Sequence, residues 1–163
     1  MRIEFDVFGD KQVVRNMFRI AYRGQDLRPA FIVMSKYFYA LEKKQFETQG
    51  KFASGGWLDL KQATKDRKAA KNQRPEILRA DDVLMKSLTR ANARFSKRTI
   101  RRGEMFLGTS DPVAVHHQHG APRAGVPQRR VIEFRKIDRI AWVKHLQSFI
   151  LTGDITGVGA MPS

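Results

Sequence analysis

The chain has 163 residues, 42% of them hydrophobic, and no cysteine. That length suits one domain with its own core, and the missing thiols exclude disulfides, thiolate metal sites and cysteine catalysis. Lys and Arg outnumber Asp and Glu 31 to 16, giving a net charge of +15, a field that draws polyanions and acidic protein surfaces.

At the start, Ile3, Phe5 and Val7 alternate with Arg2, Glu4 and Asp6. The period of two predicts a half-buried strand, turned at Gly9-Asp10. Its charges leave no apolar core for a signal peptide. From Lys11 to Arg23 the period changes. Val13, Val14, Met17, Phe18 and Ala21 recur at helical spacing, and Gly24 is expected to end the element.

A second helix follows, with Asp26 as expected N-cap and Pro29 in the first turn, where its missing N–H does no harm. Phe31, Met34, Phe38 and Leu41 form an apolar stripe that Ile32, Tyr37 and Phe46 widen, and Gly50 stops it. This is the expected core helix. The longest apolar run, Ala30 to Met34, is too short to span a bilayer, so no membrane role is expected.

Ser54-Gly55-Gly56 reads as a hinge before Trp57. Asp59 to Asn72 is polar and helix-permissive, with Lys61, Lys65, Arg67, Lys68 and Lys71 forming a basic face and little to bury. A mobile or partner-stabilised segment is expected, broken at Pro75. Ala80 to Leu88 predicts a short helix, with Asp81 and Asp82 capping it and offsetting its dipole. Phe95, Thr99, Ile100, Met105, Phe106 and Leu107 predict a hairpin that turns at Arg101-Arg102-Gly103-Glu104.

Pro112-Val113 is expected to start another extended piece, Gly120 to Pro127 a loop, and Val131 to Phe134 a strand. Asp138 is the expected cap of a last helix carrying Ile140, Ala141, Val143, Leu146, Phe149 and Ile150, closed by Gly153. Together these predict one α+β domain over residues 1–153, followed by a flexible tail over 154–163. In it a long core helix and shorter helices pack on a mainly antiparallel sheet with a projecting hairpin.

No motif carries chemistry. His117 and His119 would share a strand face, yet no carboxylate sits at a diagnostic metal-ligand spacing. No serine occupies a Gly-x-Ser-x-Gly elbow. Gly55-Gly56 lacks the Lys-Ser/Thr of a phosphate-binding loop. The expectation is therefore a protein without catalytic residues, cofactor or metal. Around the hairpin, aromatic Phe95 and Phe106 interleave with Lys97, Arg98, Arg101 and Arg102, as in single-strand binders. The competing reading puts both phenylalanines in the core.

Taken in order, Phe52, Gly55-Gly56, Trp57, Leu60, Thr64 and Arg67, then Ile77-Leu78, Leu84 and Ser87, then His117-Gln118-His119-Gly120, form a pattern. It resembles the Mu-type phage virion-morphogenesis family, and is similar to tail-completion and head–tail joining proteins of other long-tailed phages. The resemblance covers about the middle half of the chain. It departs from the family at Ala80 to Leu84, where a Thr-Gly-x-Leu step is usual, and at Pro127 to Val131, where Arg-Pro-Phe-Leu is usual.

What the resemblance implies is a non-enzymatic neck component of a virion, assembled in the bacterial cytoplasm. Such proteins form rings, often sixfold, between the portal-connected end of the capsid and the tail tube. The implied partners are further copies of itself, neighbouring portal or adaptor and tail-tube proteins, and phage DNA passing through the lumen. Candidate contact residues are Trp57, Lys61, Lys65, Arg67, Lys68 and Lys71, with Arg98, Arg101 and Arg102 of the hairpin. The alternative is a stand-alone basic nucleic-acid-binding module.

Overall fold

The computed structural model describes residues 11–155. The strand expected over residues 2–7 and the tail beyond residue 155 lie outside the described residues. Within them the architecture is α+β. Its elements are α1 (Lys11–Gln25), α2 (Arg28–Glu47), α3 (Gln62–Ala70), α4 (Val83–Thr89), β1 (Ser96–Ile100), β2 (Met105–Thr109), α5 (Pro112–His119) and α6 (Lys136–Thr152).

Helix α2 is the centre, as its periodicity predicts. Phe31, Met34, Phe38, Leu41 and Phe46 are all buried along one side. Phe38 stacks on Phe134 at 6.0 Å, and Phe134 meets Trp142 of α6 edge-on. Phe46 meets Trp57 edge-on at 5.3 Å. Leu84 and Leu88 of α4, Ile77, Ala114 and Val131 complete the core, and each large side chain contributes about 1.5–3 kcal/mol by leaving water. The start of α2 lies one residue later than expected. Leu27 is the cap residue, and Asp26 Oδ1 instead accepts from the Arg28 N–H at 3.1 Å while its carboxylate pairs with the Arg28 guanidinium.

One side chain on the buried stripe is out of keeping. Glu42 is 1% exposed, and its Oε2 has no hydrogen-bond partner among the described residues. Burial pushes its carboxyl well above the usual range, so the folded state holds a proton that the unfolded chain releases. Stability therefore falls as pH rises above the ordinary glutamate range, until the folded-state titration is reached. Glu42→Gln is expected to raise stability at neutral pH by on the order of 1–2 kcal/mol. The gain should vanish near pH 4, a contrast that urea melts at the two pH values would check.

The hairpin forms as predicted, with Ser96 opposite Thr109 and Ile100 opposite Met105. Its turn closes with the Arg101 N–H donating to the Glu104 carbonyl, and the Leu27 N–H donating to the Arg102 carbonyl ties the turn to the α1–α2 junction. Ser87 of α4 shares a 2.8 Å hydroxyl contact with Thr109, which docks β2 on the helix. Phe95 is half-buried beneath the Arg94 guanidinium, whereas Phe106 is 63% exposed. The core reading of the two phenylalanines therefore fails for Phe106.

Four expectations are corrected. Pro112-Val113 does not extend but opens α5, because Asp111 caps it by accepting from the Val113 N–H at 2.9 Å and Pro112 has no N–H to lose. Val131 to Phe134 is not a strand. The Val131 and Ile132 N–H groups donate to the Gln118 side chain instead of to a neighbouring strand. Asp138 is the third residue of α6 and not its cap. Arg135 takes the cap position, and Asp138 reaches back to its N–H at 3.1 Å. Gly24 does not end α1, which continues to Gln25.

Helix α1 stands apart from the core. It has no buried residue, and it packs along α6. Arg23 fixes the pairing by donating to the carbonyls of Ile150 and Leu151 at the α6 C-terminus, where a cation also suits the helix dipole.

Candidate interaction surface

Three residues of the family-like pattern, Trp57, Gln118 and Gly120, meet at one place. Gly50 has a φ of +82°, and a Cβ there would come within 2.4 Å of the Trp57 indole. The chain can therefore fold back at once after α2. The Ser54 and Gly56 N–H groups both donate to the Gly50 carbonyl, and the Trp57 N–H donates to Gln49. The expected hinge at Ser54 to Gly56 is thus a closed turn with its polar groups paired. Phe52 lies under the Arg135 guanidinium, 3.8 Å from the ring centre.

Trp57 is consequently core and not a surface anchor, at 7% exposure, with its Nε1–H donating to the Arg130 carbonyl at 2.9 Å. Gln45 donates to the same carbonyl. From the other side Gln118 accepts from the Val131 and Ile132 N–H groups and donates to the Ile132 carbonyl. Gly120 passes so close to the Gln128 backbone that a Cβ would sit 3.1 Å from its nitrogen. Trp57, Gln118 and Gly120 together clasp the irregular segment 128–132. This is a polar joint that stands where a sheet strand was expected, and every backbone group it pairs is one that burial would otherwise penalise.

The basic segment folds as α3 and is tied to its neighbours. Lys68 is 6% exposed, and its ammonium donates to the Glu76 carbonyl at 2.6 Å. Burial pushes that ammonium below its ordinary range, against the pull of Glu76. Lys68 is therefore a strut between α3 and the following loop, and drops out of the contact set. Lys65 pairs with Asp59 at 2.7 Å, and Arg101 with Glu104 at 2.6 Å. Lys61, Arg67, Lys71, Arg98 and Arg102 are exposed.

Beside α3 runs a groove of about 1180 Å³. Its walls include Leu60, Leu78 and Leu84, with Lys61, Arg67 and Arg94 among its cations. Of the predicted cations only Lys61, Arg67 and Lys68 are in its lining, and the hairpin cations Arg98, Arg101 and Arg102 lie apart from it. Arg129 closes the groove from beneath by donating to the Leu58 and Asp59 carbonyls. The sequence reading missed both Arg94 and Arg129. The Arg129-Arg130 pair in a Gly/Pro-rich stretch was the only signal available for the second.

His117 lines the same groove. Burial, then Arg129 and His116, hold its imidazole below the ordinary range. Among the described residues no group of three His, Asp or Glu side chains gathers as metal ligands would. Asp82 is engaged by Arg79 at 2.8 Å and Arg74 at 3.1 Å, and Asp81 accepts from the Val83 N–H at the start of α4. Both carboxylates are thereby occupied in local structure. No helix among the described residues is long and apolar enough to cross a membrane. Compared with protein-family models, curated proteins and solved structures, the chain matched none.

Proposed function

We propose that the protein is a structural component of a tailed-phage neck, a head–tail connector or tail-completion subunit that assembles into a ring. One observation carries the reading. Two residues of the pattern that resembles the virion-morphogenesis family, Trp57 and Gln118, spend their side-chain polar groups on the backbone of segment 128–132, and Gly120 lets that segment pass close by. A pattern made of joint-forming residues is what a scaffold needs and what an enzyme's signature is not. In this reading the exposed cations of α3 and of the hairpin turn face acidic neighbouring rings or DNA in the lumen.

A second reading, a stand-alone nucleic-acid binder, is favoured by Phe106, which is exposed on β2 of the hairpin that also displays Arg98 and Arg102. Salt separates the two. A neck subunit is expected to hold isolated DNA only in the non-specific range, with Kd of about 10⁻⁴–10⁻⁶ M at physiological salt. A dedicated binder would reach about 10⁻⁸ M or tighter. Electron microscopy of the purified protein, alone and with particle extracts, gives the positive test. Rings that copurify with virions are expected, and a protein that stays monomeric and absent from particles sinks the neck reading.

A further inference from the structure

Helix α1 is the least explained element of the fold. A fifteen-residue helix with no buried residue is marginal in water by itself. Its two sides nevertheless differ sharply. At 100° per residue, Lys11, Arg15, Arg19 and Arg23 share one side, while Val13, Met17, Ala21, Val14 and Phe18 share the other. Val13, Val14, Met17 and Phe18 are 52, 42, 65 and 72% exposed.

Helix α6, on which α1 packs, repeats the feature. Its core side holds Asp138, His145 and Phe149. Its outer side presents Ile137, Ile140, Val143 and Leu151 at 64, 45, 56 and 60% exposure. Two adjacent helices of similar length thus each present a stripe of four large apolar side chains to solvent.

We infer that the outer apolar stripes of α1 and α6 form a contact surface for a second copy of this chain. The area fits. A large aliphatic or aromatic side chain offers roughly 60–120 Å² of apolar surface. Eight of them, a little over half exposed, present on the order of 400 Å². One side of a standard interface buries about 800 Å², somewhat over half of it apolar. The two stripes therefore supply nearly the whole apolar part of one half-interface. A lone basic amphipathic helix would also suit an anionic bilayer surface. The second stripe on α6 instead favours a helix-packed protein contact.

Charge sets the conditions. α1 carries no acidic residue, and Lys136, Arg139 and Lys144 are exposed on α6, so two copies meet through like-charged rims. Self-association is expected to strengthen as salt rises, whereas binding to an acidic partner or membrane weakens. The contact supplies a subunit boundary for the neck reading, and rests on that reading for its biological setting.

The test uses the full chain with Phe18→Glu on α1 and Val143→Glu on α6, both at exposed positions. Unchanged circular dichroism and melting would confirm that each variant folds. In sedimentation experiments the wild type is expected to associate, and each variant to weaken that association by on the order of 100-fold. A monomeric wild type at high salt overturns the inference, as does wild-type association by either variant. Binding to vesicles of anionic phospholipid without self-association also overturns it, in favour of a membrane surface. Particle extracts separate the two readings. Self-association lost in both variants, with no uptake of wild type into particles, removes the neck reading and keeps the contact. Uptake of both variants at wild-type level, with their self-association also unchanged, removes the contact and keeps the neck reading.

Discussion

Truncating Trp57 to alanine is expected to cost about 3–5 kcal/mol of folding stability, enough to unfold a marginal domain at growth temperature. Three losses coincide. The indole fills the space between Phe46 and the glycine turn, and its removal leaves a cavity in a close-packed core. The Arg130 carbonyl loses its 2.9 Å donor and keeps only the longer bond from Gln45 at 3.3 Å. The turn at Gly50 then has nothing to fold against. Trp57→Phe separates these effects, because it keeps most of the volume and removes only the N–H, and a cost of about 1–2 kcal/mol is expected. Urea unfolding of the two variants checks the prediction. A Trp57→Ala protein with wild-type stability would show that the indole is a surface group after all.

The example shows why a sequence reading places some residues and misplaces others. The α2 stripe was legible because five apolar residues at helical spacing admit one buried side, and no partner elsewhere in the chain alters that. The hairpin was legible for a similar reason: its turn chemistry is local. Trp57 follows two glycines and precedes a run of charge, so by neighbourhood it looks exposed. Its burial depends on Gly50, seven positions earlier, adopting a φ that only the folded turn reveals. Val131 and Ile132 are β-branched and read as strand, but among the described residues no strand pairs with them. A glutamine side chain, Gln118, supplies the missing acceptor. Long-range polar substitution of this kind leaves no periodic trace.

The candidate surface was legible only in part. Net charge announced a basic protein, but composition cannot tell a cation that faces solvent from one that bonds inward. Lys68 sits at i+3 from Lys65 and i+7 from Lys61, so all three belong to one helix side by spacing. The fold nonetheless turns Lys68 toward Glu76 while Lys65 pairs with Asp59. The signal for α5 was present and was outweighed. Asp111-Pro112 before an apolar residue is a helix start, yet Pro with two valines nearby also suits an extended chain. Asp138 was expected at the cap and stands three positions further on, inside the first turn, where it reaches back to the Arg135 N–H.

That carboxylate is expected to be the second most consequential side chain. Asp138 has no exposed surface, and it accepts from the Arg135 backbone N–H, from the Arg135 guanidinium at 2.8 and 3.0 Å, and from the Tyr37 hydroxyl at 3.0 Å. Burial alone would raise its titration, but the hydrogen bonds from Arg135 and Tyr37 outweigh this and hold it below the ordinary aspartate range. On the other side of the bond, burial and then the contact with Asp138 push the Tyr37 hydroxyl up to about 12. Removing one partner of a buried pair leaves the other uncompensated, so Asp138→Ala is expected to destabilise by about 3–4 kcal/mol. A depressed carboxyl contributes stability that is present above the ordinary aspartate range, about pH 4, and lost as pH falls through the folded-state titration. Asp138→Asn keeps the shape and some of the hydrogen bonds. It should therefore cost less than Asp138→Ala at neutral pH, and the gap between it and the wild type should close as the wild-type carboxylate takes up its proton in acid. Because Asp138 joins Tyr37 of α2 to the first turn of α6, its loss also frees α6 from the core, and with it the α1 helix that Arg23 fastens to the far end of α6. Hydrogen exchange should accordingly rise in α6 and α1 together in Asp138→Asn while the hairpin amides keep their protection. Uniform loss of protection across the fold would show instead that α1 and α6 are not a separable unit.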